Sequence, residues 1–231
     1  MATAVLAGST GLVGSHILST LAASSKLSTI KAYTRRALSN TSTKVQPIES
    51  ADTSTWAASF PPSASIFFSG LGTTRAQAGG VANQRKIDVD LNIELAQAAA
   101  NAGVETYVLI SSTGANATSM MPYSKMKGEL EEAVGKMGFK HVLILRPGFL
   151  LGDRGEKRIV EGWAQSVARM SGKIGLMDSW AQEADVVARA AVNAGLQCFE
   201  GKRSGEEKVW LLAQSDIVRL GRTEWVEETT T

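Results

Sequence analysis

Tyr123 and Lys127 stand four positions apart in the run Tyr123-Ser124-Lys125-Met126-Lys127. On a helix that spacing puts both side chains on one face. A phenol titrates near ~10 and is a poor proton donor or acceptor at neutral pH, whereas a neighbouring ammonium favours the phenolate and makes the group useful. The chemistry this suits is proton delivery to a carbonyl oxygen while a hydride arrives at its carbon, or proton removal from an alcohol in reverse. Upstream, the apolar run Tyr107-Val108-Leu109-Ile110 ends in Ser111-Ser112-Thr113-Gly114. In open parallel sheets, ligands bind beyond the carboxyl ends of the strands, so a hydroxyl there is placed to hold a substrate oxygen. Ser112 is the first choice, Thr113 the second and Ser111 the third; the competing reading is that these hydroxyls only cap the loop.

A second constellation opens the chain. Ala4-Val5-Leu6-Ala7 reads as a buried strand, and Gly8-Ser9-Thr10-Gly11-Leu12-Val13-Gly14 turns it into an apolar helix. Glycines there let the backbone turn tightly and approach a diphosphate seated on the N–H groups of the helix N-terminus. The wider first gap, Ser9-Thr10, departs from the G-x-G-x-x-G fingerprint and is the form found in short-chain dehydrogenases. An NAD site calls for a carboxylate about 20 residues further on, at the end of the second strand. No Asp or Glu occurs between Met1 and Ile48, and Ile30-Lys31-Ala32-Tyr33-Thr34 runs instead into Arg35-Arg36. Two guanidiniums suit a 2′-phosphate and offer nothing to a bare hydroxyl, which points to NADP(H).

These groups need a scaffold, and the pattern supplies one. Strand-like runs near 3–7, 29–34, 44–48, 65–69, 106–111, 141–146 and 208–213 alternate with helical stretches near 12–24, 53–59, 83–102, 122–137, 157–170 and 181–195. That alternation predicts βαβ units, an α/β fold with a Rossmann-like doubly wound parallel sheet. Gly103 and Gly138 are expected to close the helices before them, and Pro122 suits a first helical turn. With 231 residues, 44% of them hydrophobic, the chain is expected to form a single domain, residues 1–231, with 148–200 supplying a lid on the substrate side.

Composition narrows the partners. A net charge of +2 gives no signal for nucleic acid. Cys198 is the one cysteine, so no internal disulfide forms, and with His16 and His141 it cannot build a zinc site unaided. Both histidines are read as structural. No stretch approaches the ~18 uncharged apolar residues of a membrane span, and the early first strand leaves no room for a cleavable presequence. Any membrane contact is therefore expected to be peripheral, although no basic amphipathic helix marks it as the main role.

Gly8 to Gly14, Ser111-Ser112, Tyr123 with Lys127, and Leu145-Arg146-Pro147-Gly148 together resemble the atypical short-chain dehydrogenase/reductases, over nearly the whole chain. The likeness is closest to the fungal mitochondrial proteins related to the HIV Tat-interacting oxidoreductase. Leu71-Gly72-Thr73-Thr74-Arg75, Ala78-Gly79-Gly80, Val89-Asp90 and Lys127-Gly128-Glu129-Leu130-Glu131 extend it. The resemblance implies a Rossmann fold with NADP(H) across the strand ends and Ser112, Tyr123 and Lys127 as the catalytic set. It further implies that Lys127 holds the nicotinamide ribose and that Gly70-Leu71-Gly72 passes beneath the cofactor. Pro147-Gly148 would then line the nicotinamide end, and Asp52 would contact the adenine. It also implies a mitochondrial outer-membrane location on the cytosolic face, with the cytosol as the alternative. Related reductases often pair, which makes a homodimer one expectation.

On the substrate side, Gly152-Asp153-Arg154-Gly155 precedes Ile159, Val160, Trp163 and Val167, whose helical spacing reads as core or partner-facing. Arg154, Lys157 and Arg158 would face an anionic substrate or simply solvent, and Met170, Met177 and Trp180 suggest an apolar wall. The reading is an NADPH-dependent reductase or dehydrogenase acting on a small carbonyl or alcohol. The rival is an NADPH-binding regulatory or scaffold protein with little turnover, which fits the short stretch available for a substrate region.

Overall fold

Parallel strands are buried on both faces and so read as nearly continuous apolar runs. Three central strands do so here: β1 (Ala2–Ala7), β4 (Ile66–Ser69) and β5 (Thr106–Ile110), with Thr3 alone only half-buried. The computed structural model describes residues 1–40, 42–151, 181–203, 205 and 207–226. With β2 (Leu27–Thr34), β3 (Val45–Glu49), β6 (His141–Leu145) and β9 (Val209–Leu212), these strands form a seven-stranded parallel sheet in the order β3-β2-β1-β4-β5-β6-β9. The expected doubly wound sheet is what the chain forms, and its order reverses between β1 and β4.

Register fixes where the loops emerge. Ala7 pairs with Ser69, Ser69 with Leu109, and Leu109 with Ile144, so four strands end at nearly one level. Alternate side chains feed two cores. On one face, Ala4, Leu6, Phe68 and Val108 pack with α1 (Leu12–Ala23) and α6 (Ala184–Phe199). On the other, Val5, Phe67, Tyr107 and Leu109 meet α4 (Asn92–Asn101) and α5 (Pro122–Gly135). A Cβ on Gly195 would stand 3.0 Å from the Phe68 ring, which shows how closely α6 lies on the sheet.

The helices differ in detail from the sequence reading. The long helix near 83–102 starts as α3 (Val81–Arg85), passes through a π-helical turn at Lys86–Leu91, and continues as α4. Gly103 follows it with φ +79°, the left-handed closure expected. Gly138 takes no such role: α5 ends earlier, at Gly135, because Lys136 and Met137 already bond back to Ala133 and Val134. The stretch 53–59 holds only a 3₁₀ turn, Thr53–Thr55. Unforeseen are the short α2 (Arg75–Ala78) and a terminal helix, α7 (Gln214–Val218), which runs into a π-turn. A parallel pair, β7 (Phe149–Leu151) with β8 (Ala181–Glu183), was also not anticipated. Within the region expected to cover the substrate, Ala184–Phe199 packs into the core. The expected helix near 157–170 lies outside the described residues, as do Asp153, Arg154 and the apolar positions named with them.

Candidate active site

Beyond β1 the chain turns at Gly8 with φ +86°, a conformation in which a side chain is strained. Space demands glycine here as well. A Cβ on Gly8 would lie 2.5 Å from the Gly70 carbonyl carbon, and one on Gly14 would lie 2.0 Å from the Gly8 oxygen. The loops after β1 and β4 are therefore in backbone contact at the point where the sheet order reverses, and the Gly70 N–H donates to Ala7 O at 2.9 Å. Gly11 stands at the N-cap of α1, where no side chain caps the helix and no acid occupies the first turn. Such an end is suited to an anion. Ser9 is buried and its hydroxyl donates to Tyr33 O at 2.9 Å, fastening the glycine loop to the end of β2. Thr10 completes the turn, and Leu12 and Val13 open α1.

Arg35 and Arg36 follow β2 and are exposed. Among the described residues neither takes part in an ion pair. Thr34 holds the backbone beneath them through the Arg36 N–H and carbonyl. The Ser50 N–H donates to Thr34 O at 3.0 Å, which brings the chain after β3 to the same corner. Asp52 lies there, exposed, and its carboxylate accepts from the Ser54 N–H and hydroxyl, which hold its carboxyl below the usual range. Next to this corner Tyr33 stacks on Trp56 and donates to Trp56 O, and burial pushes its phenol up to about 12.

At the end of β5 the three candidate hydroxyls part company. Ser111 is buried and donates to Glu131, which also receives the Arg146 guanidinium at two points. These bonds from Glu131 raise Arg146 above its ordinary range. Thr113 donates to Arg146 O at 3.1 Å, and its N–H donates to Pro147 O at 2.9 Å, tying the Pro147-Gly148 turn to the loop after β5. Among the described residues the Ser112 hydroxyl donates a 3.3 Å bond to the adjoining Thr113 carbonyl, and Ser112 is half-buried.

Pro122 starts α5 at its first turn, placing Tyr123 half-buried in that turn and Lys127 one turn on. Lys127 is 5% exposed, and its Nζ lies 3.5 Å from Ile110 O at the end of β5. A Cβ on Gly72 would lie 3.8 Å from that Nζ and 3.9 Å from Asp88 Oδ1. Backbone contacts thus run from Gly14 through Gly8 to Gly70, and the open side of Gly72 faces Lys127 at the end of β5. Gly128, beside Lys127, lets the loop before α5 press on the helix: its Cβ would meet Ala117 N at 2.1 Å, and the Asn116 N–H donates to Ser124 O at 2.9 Å.

Sequence reasoning missed Asp88 and Gln84, both buried beside this site, and the part Glu131 plays in consuming Ser111. In the sequence Asp88 alternates with Asp90 among Ile87, Val89 and Leu91, and nothing there marks which of the two acids is buried. Among the described residues no group of His, Cys, Asp and Glu is placed to hold a metal. His16 is exposed on α1; His141 opens β6 with its Nδ1 buried, where burial and then Lys140 and Arg203 lower it.

Sheet order and loop arrangement define a Rossmann-type fold. Similar solved structures include MoeE5 in complex with UDP-glucose and NAD (TM-score 0.64, 17% identity, 91% of this chain and 75% of that one). UDP-glucose 4-epimerase of Thermotoga maritima is another (TM-score 0.60, 16% identity, 91% and 89% covered). Residues 34–173 match the family model HIM1, and the chain belongs to that family. Its relatives include "Protein fmp52-1, mitochondrial" of Aspergillus terreus, 51% identical over 96% of this chain and 100% of that protein. "Protein fmp-52, mitochondrial" of Neurospora crassa is 47% identical, with 96% of each covered.

Proposed function

We propose that this protein is an NADPH-dependent reductase or dehydrogenase of the short-chain type, acting on a small carbonyl or alcohol. The observation that carries the reading is the close approach of the glycine turn, at the uncapped start of α1, to the Gly70–Gly72 loop, whose open side faces Lys127 at the end of β5. The fit of a dinucleotide rests on that geometry: Gly8, Gly11 and Gly14 bring bare backbone to an uncapped helix end suited to a diphosphate. Gly8, Ser9, Thr10, Gly11, Leu12, Val13 and Gly14 would hold the diphosphate, and Arg35 and Arg36 the 2′-phosphate. Gly70, Leu71 and Gly72 would lie under the cofactor, with Lys127 on its ribose and Pro147-Gly148 at its nicotinamide end. NAD is named with the solved structures, but the exposed arginine pair and the lack of an acid before Glu49 favour the phosphorylated form.

When bound, the dihydronicotinamide supplies hydride to the carbonyl carbon. Tyr123 gives its phenolic proton to the oxygen, and the Ser112 hydroxyl donates a hydrogen bond to the same oxygen and orients it. The Lys127 ammonium, on the face of α5 shared with Tyr123, stabilises the phenolate left behind. In the reverse direction the phenolate takes the alcohol proton. The substitution Tyr123→Phe is expected to abolish NADPH oxidation with every carbonyl the unaltered chain reduces, and to leave NADPH affinity within about twofold, since each acid/base group contributes roughly 10²–10⁴ in rate. Turnover equal to that of the unaltered chain would remove Tyr123 from the chemistry.

The names of the relatives support a mitochondrial place, and the family resemblance extends this to a peripheral one on the cytosolic face of the outer membrane. Digestion by protease added to intact mitochondria, with release by alkaline carbonate, is the expected behaviour. Protection from the protease would contradict it.

A further inference from the structure

Asp88 is a carboxylic acid sealed in the interior, 1% exposed, in the π-helical turn between α3 and α4. A charge in such a place needs partners. Its Oδ1 accepts the Thr73 N–H at 2.7 Å from the loop after β4, and its Oδ2 accepts Gln84 Nε2 at 3.3 Å from α3. Gln84 also donates to Thr73 O at 3.0 Å, so the turn is clasped from both sides. A third group faces it from α5. The point where a Cβ on Gly72 would sit is 3.9 Å from Asp88 Oδ1 and 3.8 Å from Lys127 Nζ, so the two groups front one small space, and Lys127 is itself buried. Nearby, the exposed Arg85 pairs with Asp90 and Glu129. Burial raises the Asp88 carboxyl, while the charge of Lys127 and the bonds from Thr73 and Gln84 draw it down.

We propose that Asp88 is a positioning residue whose carboxylate is the counter-ion of Lys127 and which, through the Thr73 N–H, ties that lysine to the Gly70–Thr73 turn. The π-turn gives this arrangement its geometry. The Asn92 amide bonds the carbonyls of Ile87 and Asp88 at 3.1 and 3.2 Å, and Ser69, the last residue of β4, donates to Asn92 Oδ1. One side chain therefore serves the loop proposed to lie under the cofactor and the lysine proposed to assist Tyr123. The inference deepens the reductase reading, and its test is made on the cofactor-free chain, so absence of NADPH affinity would remove that reading and leave this one to be judged separately.

The experiment follows the Asp88 carboxyl carbon through a pH titration by NMR, with Asp88→Asn used to assign it. Lys127→Met keeps the length of the side chain and removes its charge. It is expected to raise the proton affinity of Asp88 at least tenfold, since removing an opposite charge at close range shifts a titration by about one pH unit or more. Lys127→Arg is expected to reverse part of that change. Thr73 amide exchange should stay slow in Asp88→Asn and quicken in Asp88→Ala. Where Asp88→Ala does not fold, the Lys127→Met titration decides alone. An Asp88 titration identical in Lys127→Met and the unaltered chain, or slow Thr73 exchange in folded Asp88→Ala, would overturn the proposal.

Discussion

Ser111, Ser112 and Thr113 are chemically similar neighbours whose surroundings give them different work. Ser111 sits in a buried bond to a carboxylate, whose loss costs about 1.5–3 kcal/mol, whereas the bond of Ser112 to its neighbour's carbonyl is long and partly exposed. Ser111→Ala is therefore expected to lower unfolding free energy by about 2 kcal/mol. Ser112→Ala is expected to leave stability within about 0.5 kcal/mol and to reduce kcat roughly 10²-fold, the scale of losing one donor to a reacting oxygen. Urea unfolding together with NADPH-oxidation assays separates the two, and the opposite pattern would move the proposed role to Ser111.

Asp88 carries a pH signature of its own. Burial raises this carboxyl above its unfolded value, so the folded chain holds the proton more tightly than the unfolded one. Stability from that source is complete below the unfolded value near ~3.9 and is lost as pH rises through the folded value. The melting-temperature difference between the unaltered chain and Asp88→Asn, whose side chain does not titrate, should thus shift against the unaltered chain as pH rises above the ordinary carboxylate range near ~3.9. A pH-independent difference would show that the carboxyl titrates as it does in the unfolded chain.

At the scale of elements, Gly128 shows how a helix can carry a loop. The contact at 2.1 Å from a Cβ to Ala117 N is with backbone, which cannot swing away. Gly128→Ala is expected to cost about 2–3 kcal/mol and to lower turnover by loosening the segment between Ser112 and Tyr123. Urea unfolding checks the first, and a free energy equal to that of the unaltered chain would contradict the packing. The sheet, α1 and α5 were legible in the sequence because their apolar runs, glycines and Pro122 act locally. The π-turn at Lys86–Leu91 was not, because hydrophobic periodicity hardly registers one extra residue in a turn. Nor was the 3₁₀ turn at Thr53–Thr55, where the Asp52 cap and Tyr33–Trp56 packing set the geometry. The left-handed Gly103 was readable and Gly138 misleading, since the α5 terminus is closed by bonds two residues earlier.

For the whole molecule, the sheet order explains why residues from 8 to 148 converge. Reversal between β1 and β4 opens a crevice, and the shared level of Ala7, Ser69, Leu109 and Ile144 brings four loops to it. Glu131 braces that end: 7% exposed, it joins α5 to Ser111 after β5 and to Arg146 after β6. The pairing of β7 with β8 then returns the chain beside Phe149–Leu151 before α6 packs on the sheet. The residues proposed for chemistry stand out one motif at a time, Tyr123 with Lys127 and the glycines by spacing. The links among them, Gly72 to Lys127 and Thr73 to Asp88, arise only when strands far apart in sequence lie side by side.

The most direct test of the account is calorimetric titration of the full chain with NADPH and NADH, repeated with Arg35→Asp. NADPH is expected to bind at least tenfold more tightly than NADH, and Arg35→Asp to weaken NADPH roughly tenfold or more while changing NADH little, because the arginine meets the phosphate alone. Binding of neither nucleotide to the folded chain would contradict the central claim.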